Sequence, residues 1–229
     1  IGLFMGGDPQ QLLQQLETTG IQQTGEPVEI SAEEQELTEF VRVVLASTED
    51  VWASISRSEG LAFRPATLVL YRDGTQTDGC GMGASAYGPF YCPADEKVYI
   101  DLSFNDELTE RFGATGEFAM AYVLAHEVGH HIQKLTGAMD RVHAARQQLS
   151  EVDYNKVQVM LELQADFYAG LWAHHANNMS EVYLEYADIR DGMEAAAALG
   201  DDRLQMQAQG RVVPEAFTHG TSEQRAYWF

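Results

Sequence analysis

Residues 118–131 read Phe118-Ala119-Met120-Ala121-Tyr122-Val123-Leu124-Ala125-His126-Glu127-Val128-Gly129-His130-His131. Eight apolar, helix-forming residues run directly into the pattern His-Glu-x-x-His. On an α-helix, residues four apart share a face, so His126 and His130 can aim ring nitrogens at one ion. Glu127 lies beside the first of them, where its carboxylate can reach a water on that ion. Zinc lowers the pKa of such a water toward neutrality, and a carboxylate can take its proton during attack on a peptide carbonyl. The apolar approach predicts a buried helix over 117–136. Gly129 sits inside it against the helix-propensity cost of glycine.

A catalytic zinc needs three protein ligands and an open position. The third candidate is Glu162, within Leu161-Glu162-Leu163-Gln164-Ala165-Asp166 on a helix expected over 154–176. Glu162 and Asp166 share a face and interrupt an otherwise apolar run. Two carboxylates on a core-packed helix need partners, because burying them unpaired is costly. Glu162 as ligand and Asp166 orienting the second nitrogen of a ligating histidine would satisfy both. The remaining histidines are weaker candidates. His131 points off the motif's face and reads as supporting or structural. His143 has no companion at helical spacing, and His174 and His175 lie too far along their helix. His219, in Phe217-Thr218-His219-Gly220, could stabilise negative charge on a carbonyl oxygen. Its spacing alone favours a loop histidine on the surface.

Outward from the motif, Ser31-Ala32-Glu33-Glu34 has the form of a capping box and opens a helix to about Ser56, with apolar spacing at Phe40, Val43, Val44 and Val51. Residues 66–71, 90–92 and 97–104 read as strands of a small antiparallel sheet. In the last, the alternation Val98, Ile100, Leu102, Phe104 fits a half-buried strand. After Asn105 the chain reads as helix over a short segment ended by Gly113, then 117–136, 138–149, 154–176 and 180–199. Residues 210–229 read as less regular. The order helix, small sheet, helical bundle is α+β and mainly helical. Residues 1–30, rich in Gln, Thr and Gly, read as an N-terminal arm or membrane-proximal linker, and 31–229 as one domain that carries the metal site.

The 229 residues carry 14 basic and 35 acidic side chains, a net charge of −21, with 45% hydrophobic residues. That composition supports a real core. Its charge repels phosphate backbones and argues against a nucleic-acid partner. Oligomeric state leaves no signal. The two cysteines, Cys80 and Cys92, could close a short disulfide loop in an oxidising compartment, two buried thiols being the alternative. No stretch is long and apolar enough to span a bilayer.

The sequence resembles the bacterial neutral zinc metallopeptidase (YpfJ-like) family from about Arg64 to Phe229. The resemblance is carried by Cys80-Gly81-Met82-Gly83-Ala84-Ser85, Gly88-Pro89-Phe90-Tyr91-Cys92-Pro93, Val98 to Phe104, the His-Glu-Val-Gly-His-His run, Glu162 to Asp166, and His219-Gly220-Thr221-Ser222-Glu223-Gln224-Arg225. It implies a zincin-like fold and one zinc ion on His126, His130 and Glu162. It also implies Glu127 as base and a peptide or protein substrate. A late histidine in membrane-associated gluzincins helps stabilise the transition state, which raises His219 as a catalytic candidate. Arg225 would pair with an acidic group near the site. Family members carry an N-terminal membrane anchor, so the resemblance implies a bacterial cell-envelope location with an anchor before Ile1. In zincins generally an edge strand receives the substrate, a role that falls here on Val98 to Phe104. Competing readings are a zinc-binding envelope scaffold or adaptor with little turnover, and a metal hydrolase acting on non-peptide amides.

Overall fold

A computed structural model describes residues 31–84, 88–114, 117–179 and 183–229. The arm expected over 1–30 lies outside the described residues. The chain is α+β and mainly helical. Helix α1 (Ala32–Glu59) opens on the expected capping box, in which Ser31 Oγ accepts from the Glu34 amide at 3.2 Å and the Glu34 carboxylate accepts from the Ser31 amide at 2.8 Å. Its buried stripe runs through Val41, Val44, Val51 and Trp52, while Val43 is turned to solvent.

Five short strands follow: β1 (Thr67–Tyr71), β2 (Gly74–Gln76), β3 (Met82–Ala84), β4 (Phe90–Cys92) and β5 (Lys97–Asp101). The main sheet has the order β1-β5-β4. Antiparallel pairing holds for β4 with β5 and for the separate β2–β3 hairpin, but β1 and β5 run parallel. The hairpin and β4 together form the connection that lets β5 enter the middle of the sheet in β1's direction.

That central position corrects the half-buried strand expected from alternation. Val98, Tyr99, Ile100 and Asp101 are all buried. Val98 and Ile100 face the main core, and Tyr99 packs with Tyr71 and Cys92 on the other side. The strand also stops at Asp101, whose Oδ1 accepts from the amide and hydroxyl of Ser103. This turns the chain so that Phe104 begins helix α2 (Phe104–Glu110). Cys80 and Cys92 form a disulfide that fastens the end of β4 to the loop before β3.

Helix α3 (Glu117–Leu135) is the centre of the molecule. From Phe118 to Gln133 its side chains are buried, because α1, β4, β5, α5 (Glu151–Met179) and α6 (Tyr186–Ala198) surround it. Helix α4 (Ala138–Ala145) turns the chain back toward α5. Helices α3 and α5 touch at Gly129, where a Cβ would stand 3.0 Å from Ala165 O and 3.2 Å from Ala165 Cα. A side chain there would press α5 away by a few tenths of an ångström, so glycine suits the close approach. Deeper in the core, Trp172 of α5 stacks on Phe118 and donates to Ser47 Oγ of α1 at 3.1 Å.

Two helices missing from the sequence reading complete the fold: α7 (Asp201–Gln209) and α8 (Ser222–Trp228). The second has its own capping box, with the Gln224 amide donating to Thr221 Oγ1 at 3.1 Å and the Thr221 amide donating to Gln224 Oε1 at 3.0 Å.

Candidate metal centre

The contact between α3 and α5 brings His126, His130 and Glu162 together, although 36 positions separate the first from the last. One donor atom from each lies within 4.8 Å of the others. His126 Nε2 is 3.1 Å and His130 Nε2 is 3.5 Å from Glu162 Oε2. Each ring's other nitrogen is occupied. His126 Nδ1 donates to Asp166 Oδ1 at 2.7 Å, and His130 Nδ1 donates to Gln133 Oε1 at 2.9 Å. Both imidazoles therefore turn Nε2 toward Glu162, donating to its carboxylate while protonated and free to offer a lone pair to a metal once deprotonated.

Asp166 is wholly buried and densely partnered. Tyr122 Oη donates to Oδ1 at 2.5 Å, while Arg225 donates from Nε to Oδ2 at 2.9 Å and from Nη2 to Oδ1 at 3.0 Å. Arg225 also donates to Tyr122 Oη and, from Nη1, to Leu199 O. The acidic partner expected for Arg225 is thus Asp166. The charges respond to this packing. Burial pushes the Asp166 carboxyl up, but Arg225 and His126 hold it down to about 2. Burial opposes charge on His126, and Asp166 and Glu162 overcome it, raising its pKa to about 9. His130 is raised in the same way, against burial, by Glu162. Glu162 is held well below its ordinary value against burial, through His130, His219 and His126.

His126, His130 and Glu162 line a cleft of about 250 Å³. Glu127 lines it, as do His219, Arg225 and, on one wall, Pro89, Phe90, Tyr91 and Pro93. His143, set aside in sequence for want of a companion, also reaches its rim. The wall corrects the expected edge strand. The residues Val98 to Asp101 lie in mid-sheet, and among the described residues the strand beside the cleft with no second neighbour in the sheet is β4.

His131 is structural. Its Nε2 donates to Arg64 O at 2.8 Å and its Nδ1 accepts from Tyr91 Oη at 3.0 Å, which uses both ring nitrogens and ties α3 to β4. His219 is held by a residue that sequence reasoning missed. Wholly buried Asp201 accepts on Oδ2 from the amides of Thr218, His219 and Gly220 at 2.7, 2.7 and 3.0 Å. Its Oδ1 lies 3.3 Å from His219 Nδ1. The loop turns there through Gly220, at φ +99°. Burial lowers the pKa of His219 and outweighs Glu162 and Asp201.

A family described as "Putative neutral zinc metallopeptidase" matches residues 1–229. The chain belongs to this family. Among curated relatives, it is 48% identical over 221 residues to "Uncharacterized protein YpfJ" of Escherichia coli (strain K12), covering 93% of this chain and 76% of that protein. It is 45% identical over 160 residues to "Uncharacterized protein Rv2575" of Mycobacterium tuberculosis (strain ATCC 25618 / H37Rv), covering 66% of this chain and 53% of that protein. No solved structure matches.

The family description names zinc, and the donors of this chain suit that ion. Zinc–ligand bonds of about 2.0–2.2 Å in a tetrahedron put neighbouring donors about 3.3–3.5 Å apart. The observed 3.1 and 3.5 Å bracket that range. Two imidazoles and a carboxylate are a zinc donor set, and among the described residues the cluster stops at three.

Proposed function

We propose that this chain is a zinc-dependent peptidase in which His126, His130 and Glu162 hold the metal and Glu127 is the general base. The observation that carries the proposal is the convergence of those three donors, within 4.8 Å of one another, in the lining of a cleft that Glu127 also lines. Zinc, when bound, would supply Lewis acidity and bring the ionisation of water into the neutral range. The chain's own residues do the rest. Glu127 takes the proton of the attacking water and can return it to the leaving amine. Asp166, fixed by Arg225 and Tyr122, keeps the Nδ1 hydrogen on His126. His219, anchored by Asp201, stabilises charge developing on the carbonyl oxygen.

The substrate is a peptide or protein segment in extended form. It would add to the free edge of β4 by main-chain hydrogen bonds, with side chains falling into the cleft. The Cys80–Cys92 disulfide at the end of that strand supports an oxidising location, the bacterial cell envelope. No helix of the described residues is long and apolar enough to cross a membrane, so anchorage would rest on chain outside them. A purely structural zinc site closes its coordination with four protein ligands. Three donors facing a cleft favour the enzyme over a scaffold.

The test is Glu127→Gln. Zinc content should stay at one ion per chain, while cleavage of denatured casein falls by about 10²-fold or more. Undiminished cleavage by the zinc-loaded variant refutes the assignment.

A further inference from the structure

The two ligand histidines are backed differently. His126 leans on Asp166, a carboxylate whose charge is met by Arg225. His130 leans on Gln133, a neutral amide one turn further along α3, wholly buried and committed at both ends. Gln133 Nε2 donates to Leu161 O at 2.6 Å and lies 3.1 Å from Gln164 Oε1. A main-chain carbonyl only accepts, so the amide nitrogen must be the end that faces Leu161. Oε1 is then the end that faces His130, and an amide oxygen can only accept. Nδ1 of His130 must therefore carry a hydrogen, which leaves Nε2, toward Glu162, as the nitrogen that can give up its proton and coordinate. One carbonyl on α5 thus dictates the tautomer of a histidine on α3.

The same amide fixes a distance. Leu161 precedes Glu162, so Gln133 ties the turn of α5 that carries the third donor to the turn of α3 that carries the second. Asp166 does the equivalent on the other side of the Gly129–Ala165 contact. A carboxylate at position 133 could still accept from Nδ1, but it would have no hydrogen for Leu161 O. Among the hydrogen bonds described at Gln133, none comes from an arginine or lysine that would match its charge.

We propose that Gln133 is a positioning residue of the metal centre, locking His130 in its Nε2-coordinating form and setting the register between His130 and Glu162. This rests on the zinc reading above. Outer partners of metal-binding histidines are worth about ten- to a hundredfold in metal affinity. The experiment compares wild type with Gln133→Met, which keeps the volume and removes every polar atom, and Gln133→Glu, which restores the acceptor alone. Zinc affinity is read by chelator competition, the ligand field by the visible spectrum of the cobalt(II)-substituted protein, and folding by metal-free thermal unfolding. Gln133→Met should bind zinc about ten- to a hundredfold more weakly and show altered cobalt bands, and Gln133→Glu should recover most of that loss. A structural role alone would lower the unfolding temperature of both variants and leave metal affinity untouched. Zinc binding by Gln133→Met within about twofold of wild type overturns the proposal. Should that variant not fold, Gln133→Asn carries the test, since it is polar but draws its oxygen back from Nδ1 by one methylene. Weaker binding there supports the proposal, and wild-type affinity overturns it. Affinity and spectra are read without substrate, so their outcome is independent of whether Glu127→Gln abolishes cleavage.

Discussion

Replacing Arg225 by methionine removes a guanidinium that is 2% exposed and leaves Asp166, at 0%, without its matching charge. The loss can be built from parts. Asp166 titrates at about 2 instead of the ordinary 3.8. A depression of that size corresponds to about 2 kcal/mol of folding stability, present above pH ~4 and lost as pH falls through the folded value. The bonds from Arg225 to Tyr122 Oη and Leu199 O add about 1 kcal/mol each. The sum, about 4 kcal/mol, sits within the 3–5 kcal/mol seen on breaking buried pairs elsewhere.

The assay is urea denaturation of the zinc-free protein in EDTA. With a slope of about 1–3 kcal/mol per molar urea, the midpoint should fall by about 1.3–4 M at pH 7. Without Arg225, burial drives the Asp166 pKa upward, so the variant's deficit should shrink as pH drops and its Asp166 takes up a proton. Removing the stranded charge as well, in Asp166→Asn with Arg225→Met, should be less costly than the two single changes summed, by about 2 kcal/mol. A loss below about 1 kcal/mol, or additivity within about 0.5 kcal/mol, would refute the argument that Asp166 depends on Arg225.

Four further outcomes follow from the same geometry. His126, raised to about 9 in the metal-free protein, must give up a proton to coordinate. The apparent zinc Kd should therefore fall by at least about tenfold per pH unit between pH ~7 and ~8.5, the raised His130 steepening it where that ring is still protonated, with proton release detectable in weak buffer, and a flat profile would contradict it. The sign for folding is opposite: the contribution of His126 to metal-free stability is fully present below pH ~6.5 and declines as pH rises through about 9, which denaturation in EDTA reads directly. Asp201→Ala strips the acceptor from three loop amides and should cost about 2–4 kcal/mol in urea denaturation, slow casein cleavage, and leave zinc affinity unchanged; full activity would show that His219 does not need this anchor. Gly129→Val drives a branched side chain against Ala165 O, so it should lose about 1–3 kcal/mol by thermal unfolding and weaken zinc binding. Unchanged affinity would mean that the helix contact does not set the donor spacing.

The parts of the site legible in sequence are those whose geometry is local. His126 and His130 share a face because four residues on a helix always do, and Glu162 and Asp166 stand out because acids in an apolar run need partners. Gln133 carries no charge to attract notice, and its role depends on a carbonyl 28 residues away. Asp201 is one of 35 acidic residues, and its three amide donors lie 17 to 19 positions later. The sheet order is non-local in the same sense. Alternation marks Val98 and Ile100 as inward but is silent on strand order, and the likeness to zincins puts the edge on Val98 to Phe104, whereas among the described residues the edge beside the cleft is β4. Helix α8 shows where the boundary falls. Its signal, Thr221-x-x-Gln224, has the same form as the Ser31 box, yet α1 follows its box with an apolar stripe and α8 buries only Arg225. A seven-residue helix with one inward side chain has no period to detect. What places it is a charge pairing with Asp166, and that pairing exists only once α3 and α5 have met.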